Sequence, residues 1–297
     1  MEPHDVAAGS AEGAESSDRL FSALWSPLGA ATVKAARLRP GVHVLDACCG
    51  SGASAMLAGE QVGPHGLIDA VDLAQPSLER GRAEAAIRGL SHVRFLCGDI
   101  LDRPAPPGGY DAVVCSLGAS SFPDAATGTE RLLRLMRPGG RLTATTWSQG
   151  ALEPLTRLIR RAVAPELPCS ADIPRPADPL QRIGTPRLFR DWLAARSLSS
   201  IDVRYVPLAV PGDPDLVWSL VAGAGFRGLL DGLSDAAVDR VRRRFATELL
   251  AEGRDTIDFS ALVGTGTLRR VAPPRRPRGA RPSPTAGRPI GPVPQLG

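Results

Sequence analysis

The stretch Val44-Leu45-Asp46-Ala47-Cys48-Cys49-Gly50-Ser51-Gly52 decides how this chain is read. A short apolar run passes through an acid into two glycines, and residues 54–62 then carry helical spacing, so the stretch reads as strand, tight turn and helix. Glycines let a backbone come close to a ligand, and the free N–H groups of the turn and helix start point at its negative or polar part. Gly50-x-Gly52-x-x-Ala55 also fits a dinucleotide fingerprint, and Asp72 lies twenty residues beyond Gly52 at the end of the next strand.

Outward from that turn, apolar runs alternate with amphipathic segments. Upstream, Ser26 and Pro27 are placed as N-cap and first-turn residue of a helix with Leu28, Ala31, Ala35 and Leu38 on one face, ended by Arg39-Pro40-Gly41. Strands are predicted at 42–46, 67–72, 93–97, 110–116 and 141–147, with helices at 54–62, 76–88 and 123–136 and a turn at Pro138-Gly139-Gly140. Past Trp147 the rhythm changes. A helix at 152–163, a proline-rich stretch from Pro165 to Pro179 and a helix at 186–195 lead to a long strand at 201–210; helical segments at 214–230 and 234–251 then precede a last strand at 257–268. Strands linked by crossover helices make a doubly wound sheet, and two strands separated by that much helix predict a sheet edge carrying an inserted cap. The expected fold is therefore α/β, a Rossmann-like seven-stranded doubly wound sheet with N-terminal helices and an α-helical cap insert. Its expected parts are a disordered head at 1–16, helices at 17–41, a core at 42–150, a cap with the last two strands at 151–270, and a disordered Pro/Arg-rich tail at 271–297.

The 297 residues are 43% hydrophobic, enough for a sizeable core, which excludes fibrous and wholly disordered classes. Lys plus Arg number 35 against 31 Asp plus Glu, but five of the arginines lie in the 271–297 tail, which has no acid. The body is thus near neutral, which argues against nucleic acid or a membrane surface as partner. Five cysteines, two of them adjacent, fit neither a disulfide framework nor a zinc pattern. With no apolar h-region at the start and no apolar run near ~18 residues, the expected location is cytoplasmic.

Two ligands suit the glycine turn, and Asp46 helps to separate them. An acid beside the turn repels a pyrophosphate, whereas it suits a ligand with ammonium and sulfonium charges. Here the chain resembles the class I S-adenosylmethionine-dependent methyltransferases, in particular those of ubiquinone and menaquinone biosynthesis. The resemblance is carried by Val44 to Gly52, Val71-Asp72-Leu73, Cys97-Gly98-Asp99-Ile100, Tyr110 to Cys115, and Leu135 to Thr146 around Arg137-Pro138-Gly139-Gly140, covering about residues 40 to 150. It implies S-adenosylmethionine as cofactor. Asp46, Ala47, Cys48, Gly50 and Gly52 would shape the pocket for the methionine half, Asp72 would hold the ribose hydroxyls, Leu73 and Ile100 would sandwich adenine, and Asp99 would accept from its amine. Cys115, Ser116 and Leu117 would line the passage to the acceptor.

Methyl transfer is an in-line displacement, so alignment in a dry pocket can supply much of the rate. Among four histidines, His4 is the candidate base if the head folds over the site. Phe21, Trp25, Phe122, Trp147 and Trp218 are candidates for an aromatic lid over a sulfonium and an apolar acceptor. Cys115-Ser116-Leu117-Gly118 lacks the Asn/Asp-Pro-Pro-aromatic element of methyltransferases acting on nucleic-acid bases. The expected reaction moves a methyl group to O, N or C of a small-molecule acceptor of secondary-metabolite or quinone-like type. A nicotinamide-dependent oxidoreductase and a catalytically silent cofactor-binding subunit are the alternatives.

Overall fold

The computed structural model describes residues 18–122, 124–167, 183–223 and 226–269. His4, the expected disordered ends and the part of the proline-rich stretch beyond Leu167 lie outside the described residues. Nine strands are described: β1 (His43–Ala47), β2 (Leu67–Asp72), β3 (Val93–Cys97), β4 (Tyr110–Cys115), β5 (Met136–Trp147), β6 (Leu198–Val206), β7 (Ala209–Pro211), β8 (Thr256–Asp258) and β9 (Ala261–Leu268). The helices are α1 (Ser26–Ala36), α2 (Ala53–Val62), α3 (Gln75–Ile87), α4 (Ala125–Leu135), α5 (Glu153–Val163), α6 (Pro186–Ala194), α7 (Pro214–Gly223) and α8 (Asp235–Ala251).

Seven strands form one sheet in the order β3-β2-β1-β4-β5-β9-β6. The first five run parallel, and β9 is antiparallel to both β5 and β6. Val44 and Leu45 in β1 and Val113 and Val114 in β4 are fully buried, as central parallel strands covered on both faces require. Strand order reverses between β1 and β4, which opens a crevice at their carboxyl ends. The cap has its own core, in which Leu155, Leu158 and Ile159 of α5 meet Trp218 of α7 and Phe245 of α8. Among the described residues, no helix is long and apolar enough to cross a membrane.

Five expectations change. The helix does not begin afresh at Ser26: a π-helical turn, Phe21–Trp25, runs directly into α1, and the Ser26 N–H reaches Phe21 O. Widening the helix there accommodates Pro27, which has no N–H and whose ring would crowd the preceding turn. That helix ends at Ala36 with Arg37 left-handed, before the expected Arg39-Pro40-Gly41 stop. The expected strand at 201–210 divides into β6 and β7, because Pro207 cannot donate to a ladder, and β7 pairs with β8 in a separate ribbon. The expected strand at 257–268 divides too, at Phe259-Ser260, where the Ser260 N–H donates to Asp258 Oδ1 and the Ser260 hydroxyl accepts from Leu208 N–H. Pro138-Gly139-Gly140 is absorbed within β5 as a register shift against β4 between Tyr110 and Ala112.

Candidate functional site

A cavity of about 1750 Å³ lies at the carboxyl ends of the parallel strands, with the sheet loops on one side and the cap on the other. The sheet wall is set by the turn after β1. Asp72, ending β2, accepts from Gly50 N–H at 2.8 Å through Oδ2 and from Ala74 N–H at 2.9 Å through Oδ1. One carboxylate thus clamps the glycine turn to the next strand and still has lone pairs for a ligand. Asp99, past β3, is exposed and accepts from Leu101 N–H at 2.8 Å. Between these acids, Leu73 is 63% exposed at the cavity while Ile100 is buried.

The ends of β1 and β4 are strained. Cys48 and Leu117 hold left-handed backbone, φ 58° and 59°, a conformation that costs a non-glycine residue on the order of 1–3 kcal/mol and gathers at functional sites. Gly118 sits between them, and a Cβ there would lie 2.5 Å from Cys48 Cβ, so only glycine lets the two strand ends approach. Hydrogen bonding with Cys115 and burial push the Cys48 thiol far above its ordinary range. Both cysteines in the Cys48-Cys49 pair are protonated packing groups, for burial also raises Cys49.

Of the residues expected to touch a ligand, Cys48, Gly50, Asp72, Leu73, Asp99, Ile100, Ser116 and Leu117 line the cavity. Asp46, Ala47, Gly52 and Cys115 do not. Asp46 is fully buried, accepts from the Ser54 hydroxyl at 2.7 Å and leaves Oδ1 unpartnered. Burial, opposed by that hydroxyl, pushes its carboxyl up to about 7. Its reach to the cavity goes through Ser54, so the expected direct charge contact is replaced by an indirect one. Gly52, at φ 91°, starts α2 against Phe95, whose ring would stand 2.7 Å from an added Cβ. Ala47 and Cys115 have no exposed surface.

Phe21, Trp25, Phe122 and Trp147 line the cavity, the first two from the π turn. Trp218 is placed elsewhere: it is buried in the cap with its ring 5.8 Å from that of Phe245. No histidine among the described residues lines the cavity. His43 Nε2 is 3.2 Å from Asp69 Oδ2, and His92 Nε2 is 2.9 Å from Gly59 O. Sequence reasoning missed the cap wall: the turn Gln149 to Leu152, Thr156, Arg157 and Arg160 on α5, and Phe226. An arginine on the polar side of an amphipathic helix reads as solvated, so no local signal singles out α5.

The model of the ubiE/COQ5 methyltransferase family matches residues 23–164. The chain is 35% identical over 248 residues to the nocamycin O-methyltransferase of Saccharothrix syringae, covering 78% of this chain and 87% of that protein. It is 30% identical over 118 residues to a demethylmenaquinone methyltransferase of Listeria monocytogenes, covering 40% of this chain and 50% of that one. Its fold is similar to that of a Haemonchus contortus phosphoethanolamine N-methyltransferase solved with S-adenosylhomocysteine: TM-score 0.53 at 16% identity, over 87% of this chain and 57% of that one.

Proposed function

The chain belongs to the ubiE/COQ5 methyltransferase family and is an S-adenosylmethionine-dependent methyltransferase, and we propose that it methylates an oxygen of a bulky small molecule held between sheet and cap. The supporting observation is how far each likeness extends. The demethylmenaquinone methyltransferase likeness covers 118 residues, about the length of the core alone, whereas an alignment of 248 residues must run well past residue 164 into the cap. The cap shapes the acceptor side, so the O-methyltransferase is the better guide to chemistry.

The residues present fit the cofactor. Asp72 Oδ2 already occupies the Gly50 N–H that a dinucleotide's pyrophosphate would need, and a carboxylate there repels phosphate while accepting from ribose hydroxyls. In our reading, Asp72 holds the ribose, Asp99 accepts from the adenine amine, and Leu73 and Ile100 flank the ring. Gly50 and Cys48 shape the turn around the methionine half, with Asp46 acting on it through the Ser54 hydroxyl. When bound, S-adenosylmethionine supplies a methyl group activated by the sulfonium charge. Phe21, Trp25, Phe122 and Trp147 exclude water and turn ring faces toward that charge, while Ser116, Leu117 and Gly118 align the approach from the acceptor side. This reading places the enzyme in the cytoplasm, with neither nucleic acid nor a membrane as partner; the four cysteines described as free are compatible with that setting.

The test is incubation with carbon-13 methyl-labelled S-adenosylmethionine and a panel of hydroxylated and carboxylated polycyclic acceptors, read by the product's carbon shift. An O-methyl signal is expected; label on carbon or nitrogen would overturn the assignment.

A further inference from the structure

Among the described residues, one cation in the cap wall has no ion-pair partner. α5 turns Leu155, Leu158, Ile159, Ala162 and Val163 into the cap core, and Thr156, Arg157 and Arg160 toward the cavity. The spacing of Thr156 and Arg160 puts them on one stripe of the helix. Arg157 is engaged by Glu252 at 3.1 Å. Arg160 is not engaged: its Nη1 is buried without a hydrogen-bond partner, and the guanidinium makes no ion pair among the described residues. Four other described arginines also bury an Nε that makes no hydrogen bond, yet each guanidinium is held by a partner. Arg103 and Arg137 pair with Asp69 and Asp111, Arg141 donates to Thr265 Oγ1 and Arg196 to Trp192 O. Arg160 is half-buried on the cavity wall and has no carboxylate paired with it among the described residues, so its accessible N–H groups are open to an anionic ligand.

We propose that Arg160 binds the acceptor and that the acceptor presents an anionic oxygen, a carboxylate or an ionised enol or phenol. The proposal rests on the cavity being the methyl-transfer site, and it names the substrate class for that site. The cavity exceeds the roughly 300–1,000 Å³ of ordinary ligand pockets, so cofactor and acceptor fit together. The chemistry balances without a base. The anionic oxygen supplies the electron pair of the new O–CH3 bond, the S–CH3 bond breaks, and its pair stays on sulfur, which leaves as a neutral thioether. Oxygen and sulfur lose their opposite charges together and no proton has to be removed, which suits a cavity that no described histidine lines. A carboxylate shares its charge over two oxygens, so one faces the guanidinium while the other attacks. The neutral ester then loses its hold on Arg160, which favours release.

The test uses the full chain saturated with S-adenosylhomocysteine and a matched pair of probes, 1-naphthoate and the neutral 1-naphthamide, titrated by calorimetry. The wild type is expected to bind the acid about tenfold tighter than the amide, as charge-assisted pairing implies. Arg160→Gln is expected to erase that preference and Arg160→Lys to keep part of it, both with S-adenosylhomocysteine affinity within about twofold of wild type. Equal binding of the two probes, no measurable naphthoate binding to the wild type, or a preference that survives Arg160→Gln would overturn the proposal. So would a large loss of S-adenosylhomocysteine affinity in Arg160→Gln, which would assign the guanidinium to the cofactor's own carboxylate. Failure of the wild type to bind S-adenosylhomocysteine would instead break the methyl-transfer reading of the cavity.

Discussion

The sheet wall of the cavity is made of the loops that follow β1 to β4 and of the helices α2 and α3, whereas the cap wall is assembled from α5, residues 148–152, Leu220 and Phe226, which meet only through tertiary packing. The two walls also differ in electrostatics. At the strand ends the first presents Asp72 and Asp99, while α3 and the residue that ends it add Arg80, Glu84 and Arg88; the second carries Arg157 and Arg160 together with Glu153. A donor that is cationic at sulfur and an acceptor that is anionic at oxygen would each find the opposite sign on their own side. The contrast teaches that one cavity can hold a generic half, dictated by turn geometry, and a particular half, dictated by tertiary packing.

Substitutions can break or sharpen that contrast. Gly52→Ala strikes the generic half hardest: a left-handed backbone at φ 91° and a Cβ 2.7 Å from Phe95 should together cost about 3 kcal/mol in urea unfolding. An unchanged midpoint would mean that the Phe95 ring swings clear. Asp72→Ala should weaken S-adenosylhomocysteine by about 2 kcal/mol, roughly 30-fold, through the loss of its acceptor oxygens; unaltered calorimetry would remove Asp72 from the ribose site. Asp46 should show a pH signature. Its folded carboxyl lies near 7 and its unfolded one near 3.8, so between those values the native state binds more protons and wild-type stability falls as pH rises. Asp46→Asn lacks that slope and should gain about 1.5 kcal/mol on wild type between about pH 5.5 and pH 7.5. A gap that stays constant across this range would refute the raised carboxyl. Arg157→Ala, in the cap wall, removes an ion pair with Glu252 whose arginine side chain is 47% exposed, and should cost less than about 0.5 kcal/mol.

Asp46 and Asp69 show why burial alone does not set a carboxyl. Both are buried on neighbouring strands, but Asp46 has one hydroxyl partner. Burial would raise Asp69 as well, yet His43, Tyr110 and Arg94 hydrogen-bond to it and hold it at about 2. Neither outcome is visible in the stretch around either residue, because the partners come from other elements. By contrast, the strand-turn-helix at Val44–Gly52, the alternation through Trp147 and the acids Asp72 and Asp99 are each visible within their own segment. The aromatic candidates fall between these cases. Phe21, Trp25, Phe122 and Trp147 reach the cavity, but Trp218 has the same composition signal and packs on Phe245 instead. Arg160 carried no signal at all, since what sets it apart is the absence of an ion-pair partner among the described residues and not the presence of a motif.

The most direct test of the account is a crystal structure of the full chain with S-adenosylhomocysteine bound. The expected result is a nucleoside lying along Asp72, Leu73 and Asp99, a thioether sulfur facing the passage beside Ser116 and Leu117, and the Arg160 guanidinium free of the ligand. A ligand seated against the cap with its carboxylate on Arg160, or a sheet wall that contacts no part of it, would contradict the division of the cavity into donor and acceptor halves.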